Sequence, residues 1–151
     1  MTAIEQEGPA NRPFFLPPIW RRSLWAWLAM ACAMTANGVF RELALKRWLD
    51  DRQASIASAG LGITLVQVIA SRAFGRSPAT SREQLAEIAG TWLVLTLAFE
   101  FTFGHWVDHK SWTELAANYN VLRGRLWPVV LATIVAAPFI WGRPRQERMS
   151  P

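Results

Sequence analysis

The 151 residues hold one cysteine, one tyrosine and two histidines, and only 18% of them are charged. With Cys32 alone no internal disulfide can form, and no CxxC pair is available to hold zinc or an iron–sulfur cluster. Cys32 sits mid-span in an apolar block, where a small residue fills space. There is no HExxH, no GxSxG elbow and no glycine-rich phosphate loop, so the common zinc-protease, serine-hydrolase and nucleotide-binding designs are absent. Two matched halves with interrupted helices, typical of many secondary transporters, are missing as well. No cofactor is expected.

What the chain does hold is apolar residue in blocks. Hydrophobic types make up 52% of it and concentrate in Leu24–Phe40, Ile56–Phe74, Ile88–Phe103 and Leu126–Trp141. Each block approaches the roughly 17–25 residues needed to cross a bilayer core. Backbone groups in lipid must be satisfied within their own segment, so each block is expected to be a helix. The expected fold is all-α: an integral membrane bundle of four transmembrane helices, with short interfacial helices in its loops. Its spans are placed at about 24–40, 56–74, 88–105 and 126–141, within a domain of 23–142. An N-terminal interfacial segment (1–22) precedes this domain, and a basic tail (143–151) follows it. Arg21-Arg22 before LWAWLAMACAM resembles a secretory signal, but the hydrophobic run is longer than a signal core and the preceding stretch carries Glu5 and Glu7. The first helix is therefore expected to be retained.

Four crossings put both termini on one side, here side A, with the first and third loops on side B. Of the 16 Lys and Arg, nine fall on side A and seven on side B, a bias that makes side A cytoplasmic. The basic residues cluster at block ends, and no stripe interleaved with aromatics is left to follow a phosphate backbone, so nucleic acid is not an expected partner. Trp20, Trp25, Trp92 and Trp141 fall towards side A, and Trp48, Trp106, Trp112 and Trp127 towards side B, which reads as paired interfacial belts.

The connections carry their own signals. Arg41–Ser55 alternates charge with Leu43, Leu45 and Trp48 and predicts a short amphipathic surface helix. Ser81 with Glu83-Gln84 marks the start of the third helix. Ser111 followed by Glu114 matches a capping box, predicting a short helix in the third loop. In the second block Ser58 and Gly62 have the small-xxx-small spacing that lets helices approach closely, and Gln67 is expected to hydrogen-bond across to a neighbour.

Polar residues gather on side B. Glu100 lies inside the third block, where an ionisable side chain is costly and needs a partner facing the bundle interior. Arg41 closes the first helix and Arg125 opens the fourth at the same depth, so either is a candidate partner for Glu100. Asn37, Glu42, His105 and Asn120 share that depth. Two roles follow: an ion-pair network that fixes helix register, or a small polar pocket. His105, Asp108 and His109 would be the ligands of a metal if the third helix continued past His105. Gly104 and Lys110-Ser111 argue that it stops, and no metal is expected.

Three segments resemble a family of small bacterial four-helix membrane proteins to which no activity is attached. They are NGVFRE (Asn37–Glu42), WLVLTLAFEFTFGH (Trp92–His105) and YNVLRGRLW (Tyr119–Trp127). The resemblance implies a retained first helix and a multi-pass protein of the bacterial inner membrane. It also gives weight to Asn37, Arg41, Glu42, Glu100, His105, Tyr119, Asn120 and Arg125. It supplies no reaction. The expected function is that of a non-catalytic membrane subunit or scaffold, whose partners are the lipid bilayer and other membrane proteins or further copies of the chain. The alternatives are a proton- or cation-coupled transport or channel component using Glu100, and a membrane enzyme acting on lipid or headgroup.

Overall fold

The structure is a computed structural model, described here for residues 17–75, 80–117, 119 and 126–142. Its elements are α1 (Pro18–Leu43), α2 (Asp51–Phe74), α3 (Arg82–Trp106), α4 (Trp112–Ala117) and α5 (Trp127–Trp141), with a single 3-10 turn at Leu45–Arg47. α1, α2 and α3 are long and apolar enough to cross a membrane. α5 is shorter: its 15 residues rise about 22 Å, less than a bilayer core of about 30 Å.

The helices start and stop where local chemistry allows. Pro17 and Pro18 open α1, a position where a missing N–H costs nothing. Asp50 caps α2 by accepting from the Gln53 N–H at 2.7 Å, and Ser81 caps α3 by accepting from the Gln84 N–H at 3.1 Å, as its sequence signal predicts. The first loop differs from expectation. Arg41–Ser55 forms no separate amphipathic helix, because α1 runs on to Leu43 and α2 already begins at Asp51. The charges expected on a surface helix instead bridge the tight turn: Arg41 pairs with Glu42 at 3.0 Å, and Lys46 reaches Glu42 at 2.9 Å and Asp51 at 3.3 Å.

In space the order is α1, α2, α5, α3. The α2 face at the centre of this arrangement buries Ala54, Ser58, Gly62, Val66, Ala70 and Phe74, one residue every four. Small side chains along most of that row let α1 come close: a Cβ on Gly62 would lie 2.9 Å from Met34 Cε. Gln67, on another face of α2, accepts from the Trp141 indole N–H of α5 at 2.6 Å, the cross-helix bond expected of it.

α1 and α3 touch over part of their length only. The Trp92 indole N–H donates to the Ser23 hydroxyl at 3.0 Å and to the Ser23 carbonyl at 3.1 Å. The Trp27 indole N–H donates to the Thr96 hydroxyl at 3.1 Å, and the Trp27 ring meets Phe99 edge-on. The hydrophobic core lies in this half of the bundle, built from Ala26, Met30, Val66, Ala70, Phe74, Ile88, Trp92, Val130, Ile134 and Ala137. Trp92 is fully buried there and belongs to no interfacial belt. α3 begins six residues before its apolar block does, which moves Trp92 from the block's edge towards the helix middle. Outside, Leu28, Val39, Phe40, Leu61, Val68, Val94, Phe139 and Ile140 are exposed, so the helices are apolar on their outer as well as their inner faces.

Candidate functional site: a polar cleft at the side-B end

Beyond Trp27 and Phe99 the two helices part. The space between α1, α2, α3 and α5 opens into a cleft of about 1020 Å3. Asn37, Arg41 and Glu42 of α1, Ser58 of α2, Glu100 of α3 and Trp127 of α5 all line it, so α1 and α3 bring four of the predicted polar residues together, and α2 and α5 add Ser58 and Trp127.

Glu100 is held by neutral donors. The Tyr119 hydroxyl and the Trp127 indole N–H, the latter at 2.7 Å, both donate to its Oε2. Arg41, one of its two predicted partners, turns instead to Glu42. The other, Arg125, lies outside the described residues, as does Asn120. Among the described residues the ion pairs are those of Arg41, Lys46 and Lys110 with Glu42, Asp51 and Asp108, and none reaches Glu100. A carboxylate and an arginine one residue apart pair more cheaply than two that must bridge a gap between helices. Burial, and then its bond to Glu100, push the Tyr119 hydroxyl well above the ordinary tyrosine range, so it remains a proton donor throughout working pH.

Tyr119 reaches Glu100 because the third loop folds back onto α3. Ser111 and Glu114 form the predicted capping box: the Glu114 N–H donates to Ser111 Oγ at 3.3 Å and the Ser111 N–H to Glu114 Oε2 at 2.8 Å. These bonds hold the Glu114 carboxyl below its usual range. The box starts α4, and α4 drives Leu115 into the gap above Gly104, where an added Cβ would stand 2.5 Å from Leu115 Cδ2. Tyr119, Phe101, Trp112 and His105 then stack as a column, with centroid separations of 6.0, 6.2 and 4.2 Å in turn.

His105 belongs to that column and does not line the cleft. Its Nδ1 lies 2.9 Å from the Lys110 carbonyl oxygen. α3 ends at Trp106, and His109 takes a left-handed φ of 54°. That turn ends the face His105 and His109 would have shared, and Asp108 is paired with Lys110 at 2.8 Å. Among the described residues no three His, Cys, Asp or Glu side chains are placed to hold one metal ion. His109→Gly is expected to be neutral or to stabilise by up to about 1 kcal/mol, whereas His109→Val should destabilise by about 1–2 kcal/mol, because a branched Cβ is crowded at positive φ. Thermal unfolding in detergent measures both, and equal effects from the two variants would show that the turn is not left-handed.

Asn37 is 5% exposed. Its amide N–H donates to the Ser58 carbonyl at 2.9 Å, while its Oδ1, also buried, has no partner among the described residues. An unmatched buried acceptor is costly, and such atoms concentrate where a ligand or water completes the site. Trp127 was legible only as an interfacial residue and is missed as a Glu100 partner, although its place two residues after Arg125 put it at the right depth. Comparison with family models, with curated proteins and with solved structures finds no match to this chain.

Proposed function

We propose that the chain is a small, non-catalytic multi-pass protein of the bacterial inner membrane, a membrane subunit that works by binding in its side-B cleft. The observation that carries this reading is that the polar residues of α1 and α3 border an open space instead of pairing off across it. A register-fixing network through Arg41, one of the two predicted partners, would close it onto Glu100. Insertion is supported by three helices of spanning length whose outer faces are apolar, a pattern that water would punish and lipid accommodates. α5, apolar apart from Thr133, would be the fourth and shortest crossing, which calls for a locally thinned bilayer or for flanking residues that complete the span. Both termini would then be cytoplasmic, with the cleft opening on the far side.

A second reading, proton- or cation-coupled transport through Glu100, is favoured by the absence of a described cationic partner for that carboxylate. One set of experiments separates the two. Thr113→Cys in a Cys32→Ser background is expected to react with a membrane-impermeant thiol reagent from outside intact cells; labelling only after lysis would overturn the orientation. In proteoliposomes the binding reading expects no proton flux above that of empty vesicles. A flux abolished by Glu100→Gln would replace it with the transport reading.

A further inference from the structure

We propose that the occupant of the cleft is a lipophilic organic cation, an ammonium or phosphonium group on an apolar body, which takes Glu100 as counter-ion and enters sideways between α1 and α3. The proposal rests on the cleft being a binding site and adds the chemical class of what binds.

The charges around the cleft set the sign of the ligand. Both cationic side chains at the cleft already have a carboxylate, Arg41 in Glu42 and Lys110 in Asp108, and the Trp127 and Trp27 indoles donate to Glu100 and Thr96. Glu100 has no ion pair among the described residues, and both of its described hydrogen bonds fall on Oε2. An anion would have to lie against the Glu100 carboxylate. The described ionisable residues lining the cleft are Arg41 and Lys110 against Glu42, Glu100, Asp108 and Glu114, two positive and four negative, a balance that favours a positive guest.

The walls set its body. Trp27, Phe99, Phe103 and Trp127 line the cleft, and aromatic faces attract a desolvated cation and pack against apolar groups. A bare metal ion is a poor match: hard cations require about six or more oxygen ligands, and among the described residues no three His, Cys, Asp or Glu side chains converge on one point. A volume near 1020 Å3 suits a guest of many heavy atoms.

The structure also holds a way in. A second groove of about 750 Å3 runs along the outer seam of α1 and α3 and shares Trp27, Thr35, Val39, Phe99 and Phe103 with the cleft. Its remaining lining, including Leu28, Cys32 and Phe40, is apolar, so the cleft is continuous with a face that lipid would cover. A ligand that partitions into the bilayer reaches Glu100 without crossing water.

Two ions of nearly the same shape and opposite charge test the proposal. Full-length protein in lipid nanodiscs is titrated with tetraphenylphosphonium and, separately, with tetraphenylborate, and binding is read by equilibrium dialysis. Saturable binding of the phosphonium alone is expected, with Glu100→Gln weakening it by about tenfold or more and Glu83→Gln, in the first turn of α3 and outside the cleft lining, leaving it unchanged. Binding of the borate alone, or equal binding of both ions, would overturn the cation inference and leave the cleft as a binding site. Saturable binding of neither ion would overturn the inference and the binding reading together. Unchanged phosphonium affinity in Glu100→Gln would remove Glu100 from the site. If that variant does not fold, the charge preference of the unmodified protein decides the question alone.

Discussion

Trp92→Ala is expected to destabilise the bundle by about 2–3 kcal/mol, more than any other single truncation in the core. Trp→Ala in water-soluble cores costs about 3–5 kcal/mol, a figure that combines lost transfer energy with the cavity left behind. In a bilayer the transfer part shrinks, since separated helices still sit in an apolar medium; the cavity and lost packing remain. Trp92 is fully buried, tilts against Phe74 at 5.6 Å and donates to Ser23, so it joins α3 to both α2 and α1. Trp92→Phe keeps most of the ring volume and drops the hydrogen bond, with an expected cost of about 0.6–1.7 kcal/mol. Trp25, 70% exposed on the outside of α1, serves as the control, and Trp25→Ala should stay within about 0.5 kcal/mol. Unfolding in bicelles measures all three. A cost for Trp92→Ala no larger than that for Trp25→Ala would mean that α1 and α3 do not close at this level, and the one-ended opening of the cleft would lose its basis.

Much of this architecture was legible in the sequence, for identifiable reasons. Side-chain capping leaves local signatures, so Ser81 and the Ser111–Glu114 box gave their helix starts correctly. Small residues at spacing four gave the close approach at Ser58 and Gly62. Hydropathy marks where a chain is apolar and not where a helix ends, which is why Arg41–Ser55 reads as a separate surface element although Arg41–Leu43 continue α1 and Asp51–Ser55 open α2. The site was legible in depth and not in pairing. Asn37, Arg41, Glu42 and Glu100, which span boundaries place at one depth, line one cleft. Which of them touch depends on helix rotation and on the gap between α1 and α3, and neither leaves a mark in composition. Aromatic residues deceive in a further way: a tryptophan in a belt looks identical in sequence to one that donates inside the bundle, as Trp127 on Glu100 and Trp92 on Ser23 both demonstrate.

Tyr119→Phe should cost about 1–2 kcal/mol, and its cost should fall by about half in a Glu100→Gln background. The hydroxyl donates to Glu100 Oε2, which also accepts from Trp127, so one oxygen carries both bonds. A bond to a carboxylate is about twice as strong as one to a neutral amide. Glu100→Gln still presents an oxygen to both donors, so it removes the charge assistance without removing the contact. The double-mutant cycle therefore isolates the charge and expects a coupling of about 0.5–1 kcal/mol. Trp127→Phe should show the same coupling by the same logic. A second consequence separates this bond from the aromatic column beside it. Phe at 119 keeps the stack on Phe101, whereas Ala loses both stack and bond. Amide exchange in Trp112–Ala117 is thus expected to rise modestly in Tyr119→Phe and strongly in Tyr119→Ala, because α4 rests on the same column through Trp112. If the two variants loosen α4 equally, the hydroxyl and not the ring holds the loop over the cleft. If instead the cost of Tyr119→Phe is unchanged by Glu100→Gln, Tyr119 does not bond to an ionised carboxylate, and the counter-ion role of Glu100 falls with it.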